Sequence, residues 1–450
     1  MLAKGFKRHW KSTLRLSGPL ILGQLGQVLV MVADSIMVGQ LGTIQLAAVS
    51  FGVAIFGVYY VLGLGLSFAM PPIVAECHGS GNDKELSSCI VNSTLINTLY
   101  AIIILVVTEL SLPVLFMFGQ EEVVVSAAIP YIRLSVYSML PFMVFQSFRS
   151  WSDGIGNTKI AMVAIIIGNS ANIVLNYIFI FGKLGFPEMG VTGAALSSLV
   201  SRIIMLLVWF LVIRNKESFT STLKSLTLEK VDKTMLIRLL GLGFIMALQM
   251  FFEVLMFTAS TLMMGVLGEV QQAAHQIALN IITITFMVTT GFSVAATIRV
   301  GHYLGKKEIA ELKPAGNTSI ILSGIFMFCS GIFMILFRDF LPSLYIQEID
   351  VIQYASSMLI FAAIFQIPDG IQISSIGALR GLQDVKIPTL LTFISYGVFG
   401  IPIALLLCFT FDLGFKGVWI GLIVGLLINA VVTTIRFNQQ SAKRISSQFF

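Results

Sequence analysis

Stretches of about 20 or more residues with almost no charge recur from near Leu14 to near Arg436, and that recurrence limits the chain more than any other feature. A membrane-crossing helix needs about 20 predominantly apolar residues. Charged residues make up 11% of the 450 and hydrophobic ones 56%, with a mean hydropathy of +0.92. Soluble domains carry about a quarter charged residues. The reading is an all-α polytopic membrane protein with twelve spans, expected near 14–40, 46–75, 88–115, 126–151, 159–181, 191–214, 235–262, 273–303, 317–340, 350–379, 388–409 and 417–437. Nothing is left over for a soluble catalytic module.

The basic residues give these spans a direction. Twenty-three of the 28 Lys and Arg fall on one side, and only Lys183, Arg338 and Lys416 on the other, with Arg133 and Arg202 inside spans. Positive charge marks the cytoplasmic face, so both termini are expected there, in a bacterial inner membrane. The net charge of +6 follows from that asymmetry and implies no nucleic-acid partner. Met1 to Arg15 holds five basic residues, but the apolar run behind it is too long for a cleavable signal. Cys77, Cys89, Cys329 and Cys408 have neither metal-ligand rhythm nor the spacing of a disulfide framework.

The longest polar stretch, near 215–234, separates six spans from six, giving halves at 1–214 and 235–450. The halves repeat each other. Leu14-Arg15-Leu16 and Gly18 align with Ile237-Arg238-Leu239 and Gly241, and Ala47-Ala48 with Ala273-Ala274. Gly79 and Glu85 align with Gly305 and Glu311, Pro141 with Pro368, and Gly154 with Gly381. With six spans each, both copies have the same orientation, so the expected architecture is two pseudo-symmetric six-helix bundles. Repeats related by an axis along the membrane normal bind substrate near mid-membrane and alternate access by rocking.

Acids in hydrocarbon cost about 2.5–3.5 kcal/mol on insertion scales and normally face a cavity or a partner. Asp34, Glu253 and Asp369 stand well inside spans, each on a helical stripe of polar residues. Gln24 and Gln27 share the stripe of Asp34, and Asn169, Asn172 and Asn176 form one on the fifth span. Gln249 lies one turn from Glu253; Gln272, Gln276, Asn280 and Thr283 follow on the eighth span, and Gln366 and Gln372 flank Asp369 on the tenth. A carboxylate in a low-dielectric cleft needs a counter-ion, and a proton, Na⁺ or an organic cation can each serve. Ligands that neutralise the same charge compete, and competition is a minimal antiport mechanism. Amide and hydroxyl oxygens suit Na⁺. The 35 Phe and 20 Met could furnish an adaptable apolar wall for planar cations. Arg202, near mid-span, is expected to pair with an acid or with backbone carbonyls; Glu76 and Asp153 are read as interface or gate residues, and His275 as a packing residue.

The stretch VADSIMVGQLG (Val32–Gly42), the run AAHQIALN (Ala273–Asn280), the segment IPDGIQ (Ile367–Gln372) and paired turns after Gly156 and Gly381 resemble the multidrug and toxic compound extrusion (MATE) family, in its NorM-like bacterial branch. The resemblance implies a twelve-helix, two-lobed V-shaped fold, and export of small organic cations or drugs in exchange for Na⁺ or H⁺. It implies cation-coupling or substrate roles for Asp34, Glu253 and Asp369. Asn172, Asn176 and Ser198 match supporting positions in the N-terminal half, with Ser198 standing where some members have Thr. Na⁺ is thus expected at Glu253 and Asp369 or at Asp34 and Asn176, with no cofactor and with a single chain as the working unit.

Three other readings compete. A lipid-linked oligosaccharide flippase of the same superfamily would carry polyanions and favour Arg and Lys where these spans offer acids. A membrane enzyme would need a motif such as HExxH or a Ser-His-Asp arrangement, and neither is present. A channel is compatible with the repeat but would conduct where an antiporter saturates.

Overall fold

The computed structural model describes residues 2–214 and 231–446. Among the described residues, twelve helical stretches are long and apolar enough to cross a membrane: α1 Lys7–Gly39, α2 Ile44–Ser80, α3 Asp83–Met117, α4 Glu122–Gly154, α5 Thr158–Phe181, α6 Gly190–Ile213, α7 Lys233–Leu267, α8 Glu269–Gly305, α9 Ile309–Leu336, α10 Ile349–Gly381, α11 Lys386–Thr410 and α12 Phe415–Ser446. Every expected span has its helix, and most helices run several residues further. Leu29, Leu110, Val174, Leu207 and Leu262 are exposed, as side chains that face lipid must be.

Proline and glycine explain the irregular places. α2 breaks after Ser67 and restarts at Met70, where Pro71 and Pro72 fall in a first turn that needs no N–H partner. α4 breaks at Ser138, shortly before Pro141. α10 runs unbroken through Pro368, which has no N–H to give to the carbonyl one turn before it, immediately beside Asp369. α11 widens into π-helical turns at Ile394–Gly400 and Leu406–Thr410. Such turns are rare and often mark functional positions.

The chain folds as two compact units. The N-unit comprises Leu22–His78 and Asn82–Ala247, and the C-unit Met1–Ile21, Gly79–Gly81 and Leu248–Phe450. These limits depart from 1–214 and 235–450, because contacts rather than chain order decide where a helix end belongs. The start of α1 is held by the C-unit: Arg8 Nη2 and His9 Nε2 each lie 2.7 Å from Glu311 Oε2, and Arg299 donates to Thr13. The start of α7 is held by the N-unit: Arg238 Nη2 meets Glu76 Oε2 at 2.7 Å, and the Asp232 N–H donates to Asn92 at 3.1 Å. Glu76, read from sequence as an interface or gate residue, thus has an ion-pair partner. Of the polar linker expected at 215–234, residues 215–230 lie outside the described residues.

Each unit has its own apolar core. Phe145, Trp151 and Trp209 centre the main N-unit cluster; Phe365, Met358 and Trp419 centre that of the C-unit. His275 is fully buried against Trp419, ring centres 5.5 Å apart, with Ser260 Oγ 3.3 Å from its Nε2. That is the packing role expected of it.

In the C-unit, α8 and α10 approach closely along Ser293 and Thr297 on one helix and Gly377 and Gly381 on the other. Ser293 Oγ donates to the Ile373 carbonyl at 2.6 Å, and Thr297 Oγ1 to the Gly377 carbonyl at 2.7 Å. A Cβ on Gly377 would sit 2.3 Å from the Ser293 carbonyl oxygen, a backbone atom with no freedom to retreat. Small residues four apart allow this approach in membranes, where packing replaces the hydrophobic drive between helices. We expect Gly377→Val to yield no monodisperse protein in size-exclusion chromatography after detergent extraction. Gly18→Ala, with no atom near its added Cβ, should elute as wild type. A normal peak for Gly377→Val would show that this helix contact is dispensable.

Candidate functional site

Four sequence-predicted residues of the N-unit meet in one hydrogen-bonded chain. Asp34 on α1 accepts a hydrogen bond at Oδ1 from Asn176 Nδ2 on α5. Asn176 Nδ2 also reaches Asn172 Oδ1 at 3.2 Å, one turn earlier on the same helix. Asn172 Nδ2 then lies 3.4 Å from Ser198 Oγ and 3.5 Å from Ser201 Oγ on α6. Asn172 is 2% exposed and Asn176 0%, while Asp34 is half-buried. Asn176 Oδ1 is buried without a hydrogen-bond donor. A carboxylate with an orphaned amide oxygen beside it offers hard oxygens of the kind that suit Na⁺.

The C-unit gathers a second cluster from four helices. Gln372 Nε2 on α10 donates to Glu253 Oε1 on α7 at 2.7 Å, and Tyr396 on α11 donates to Gln372 Oε1 at 2.6 Å. Gln249, one turn before Glu253, donates to Thr392 at 3.3 Å and accepts from Arg380 Nη2 at 3.0 Å. Asn429 on α12 completes the group through Thr392 at 3.2 Å. Asp369 lies on the same helix as Gln372, is 4% exposed, and its buried Oδ2 takes no hydrogen bond. Asp369 stands one turn before Gln372, which bonds Glu253, and Arg380 enters the same group through Gln249. A carboxylate oxygen buried without a donor is costly, and a proton or a metal cation would remove that cost.

Other expectations fare differently. Gln276 donates to Asn280 at 3.1 Å, but both are exposed, and neither joins the hydrogen-bonded chain around Glu253. Gln27 is half-buried and stands outside the chain that starts at Asp34. Arg202 overturns its expectation: its guanidinium donates to the Ser138 hydroxyl at 2.6 Å and lies over Phe142 and Phe56, with no acid within ion-pair distance among the described residues. Asp153 lies 3.6 Å from Arg149 Nε on α4 itself. Among the described residues no three His, Cys, Asp or Glu side chains converge as a metal cage.

Reading the sequence missed Ser201, Thr392, Tyr396, Asn429 and Arg380. Asn429 gave a signal, as a lone amide in the apolar run of α12, and Ser201 follows Ser198 by one turn. Arg380 was hidden by its place at a span end, where it counted among cytoplasmic charges.

The MatE family description matches residues 19–178 and, a second time, residues 246–406. The chain belongs to the MatE family. The two matches fall one in each half of the sequence, where the repeat was read. Among curated MATE relatives, Multidrug resistance protein NorM of Photobacterium profundum is 33% identical over 438 residues, covering 96% of this chain and 95% of that protein. Multidrug resistance protein MdtK of Pectobacterium atrosepticum is 34% identical over 442 residues, covering 96% of each. Solved structures share the fold: the eukaryotic MATE transporter AtDTX14 has a TM-score of 0.87 at 21% identity, covering 98% of this chain and 99% of that one. A MATE in complex with MaD3S has a TM-score of 0.90 at 22% identity, covering 97% of both chains. The all-helical, twelve-span MATE architecture expected from the sequence is therefore shown, in a multi-pass membrane protein.

Proposed function

We propose that this chain is a secondary antiporter that exports cationic, amphipathic organic compounds in exchange for Na⁺ or H⁺, by alternating access. The observation that carries the reading is Asp369 Oδ2, buried without a donor beside the bonded Glu253–Gln372–Tyr396 group. That oxygen needs a cation, and a coupling ion arriving from outside can supply one. The names of the NorM and MdtK relatives support drugs as cargo. The N-unit chain from Asp34 to Ser198 is the second place where a cation would be held. Electrically, moving one positive charge out against about 100 mV costs about 2.3 kcal/mol, which one incoming cation offsets.

On this reading the protein transports and does not catalyse, and it sits in the bacterial inner membrane with both termini cytoplasmic. The flippase reading has less support, since a polyanion would meet carboxyls in both clusters and one arginine in each.

Inverted vesicles loaded by an imposed gradient test the proposal. Ethidium movement should be driven by a Na⁺ gradient, a pH gradient or both, and should saturate with ethidium concentration. Movement that ignores both gradients would remove the antiport reading, and unsaturable conductance would favour a channel.

A further inference from the structure

Among the described residues, six arginines make ion pairs with acids: Arg8, Arg133, Arg149, Arg238, Arg338 and Arg436. Arg202, well inside α6, makes none. Its Nη1 donates to Ser138 Oγ at 2.6 Å, and that hydroxyl in turn donates to the Ser135 carbonyl at 2.5 Å. The break of α4 at Ser138 thus supplies the fixed point that aims the guanidinium. Its central carbon sits 4.8 Å from the ring centre of Phe142 and 5.2 Å from that of Phe56. Tyr60 stacks on Phe142 at 5.2 Å and lies 5.8 Å from Phe56. The side chain is half-buried, and among the described residues its other N–H donors meet no acceptor.

An intramembrane cation without an acid is expensive and normally faces a cavity or a ligand. Arg202 lies one turn from Ser198 on the same helix, and Ser198 ends the polar chain that begins at Asp34. A negative group, an aromatic platform and a forked positive group therefore belong to one unit, linked through the single turn of α6 from Ser198 to Arg202. The planar fork of an arginine suits a carboxylate through two parallel hydrogen bonds.

We infer that Arg202 is a specificity-determining residue that binds the carboxylate of zwitterionic aromatic substrates, while Asp34 takes their positive end and Phe56, Tyr60 and Phe142 take their rings. The inference rests on the export function proposed above and assigns one residue to the negative end of a substrate that carries both charges. A polyanion remains a poor fit, because a single guanidinium cannot match several negative charges and Asp34 belongs to the same unit.

Two dyes isolate the effect. Rhodamine 110 carries a free carboxyl, and rhodamine 123 is its methyl ester and purely cationic. Binding of each to the purified full-length protein is read by fluorescence anisotropy, for wild type, Arg202→Gln and Arg202→Lys. Wild type should bind both dyes. Arg202→Gln should weaken rhodamine 110 by at least about tenfold and change rhodamine 123 by less than about threefold, as expected for loss of a paired charge. Arg202→Lys, with a point charge and no fork, should fall between the two for rhodamine 110.

Equal weakening of both dyes in both variants would make Arg202 a structural clamp and overturn the inference. So would unchanged rhodamine 110 binding in Arg202→Gln, or wild type that binds only the ester. The last result would leave cation export standing. Failure of wild type to bind rhodamine 123 would remove the export reading, and this inference with it. If Arg202→Gln does not fold, the lysine variant carries the test through the same difference between dyes.

Discussion

Asp369→Asn is expected to abolish ion-driven efflux while the protein still inserts and elutes as a single species. The side chain keeps its size, so the packing around a residue 4% exposed is undisturbed, but the charge that demands a counter-ion is gone. Glu253→Gln should behave alike. Gln372 Nε2 can still donate to the oxygen of a glutamine, and Tyr396 still donates to Gln372, so the hydrogen-bonded frame survives without its charge. Removing one partner of a buried charge pair costs about 2–5 kcal/mol, or at least about thirtyfold in affinity for the coupling ion. Initial rates of gradient-driven ethidium efflux in inverted vesicles should fall by at least that factor in each variant. Rates within about threefold of wild type in both would show that the C-unit carboxyls do not couple transport.

The two halves repeat in sequence yet are not built alike where it matters. Pro141 and Pro368 occupy matching positions, but α4 is broken just before Pro141 while α10 passes through Pro368. The break leaves the Ser138 hydroxyl to position Arg202. The unbroken helix keeps Gln366, Asp369 and Gln372 on one continuous face. The matched prolines thus lie beside an arginine support in one unit and an acid stripe in the other, which gives a physical basis for different ligands in the two.

Much of this was legible before any fold was known. Twelve spans follow from hydrocarbon allowing no unpaired backbone, and period-3.6 stripes placed Asn172 above Asn176 and Gln249 above Glu253. Stripes show what shares a face but not which faces meet. Gln276 and Asn280, a regular pair on α8, bond each other in exposed positions, outside the hydrogen-bonded chain around Glu253. Arg202 misled for a related reason: an arginine among lipids suggests an acid, and rings separated by dozens of residues leave no periodic trace. The unit boundaries inside α1 and α7 were hidden too. They depend on long-range contacts such as Arg8 with Glu311 and Arg238 with Glu76, which a polar linker cannot announce.

Asp34→Asn separates the roles of the two units. Asparagine keeps an oxygen for Asn176 Nδ2, so the chain through Asn172 to Ser198 can persist, and only the negative charge is lost. Affinity for a purely cationic dye should fall by at least about thirtyfold, the smaller end of a buried ion-pair loss. Glu253 and Asp369 are untouched by the change, so Na⁺-dependent or proton-dependent thermal stabilisation of the purified protein should match wild type. The mirror experiment, Asp369→Asn, should remove that ion-dependent stabilisation and leave dye affinity within about threefold. If Asp34→Asn instead removes the ion response together with dye binding, coupling resides in the N-unit and the two ligands compete for one carboxylate. If it changes neither, the chain from Asp34 to Ser198 is helix–helix glue, of the kind that asparagine and serine supply between membrane helices. Charge removed without loss of shape is what lets one residue decide among these three arrangements.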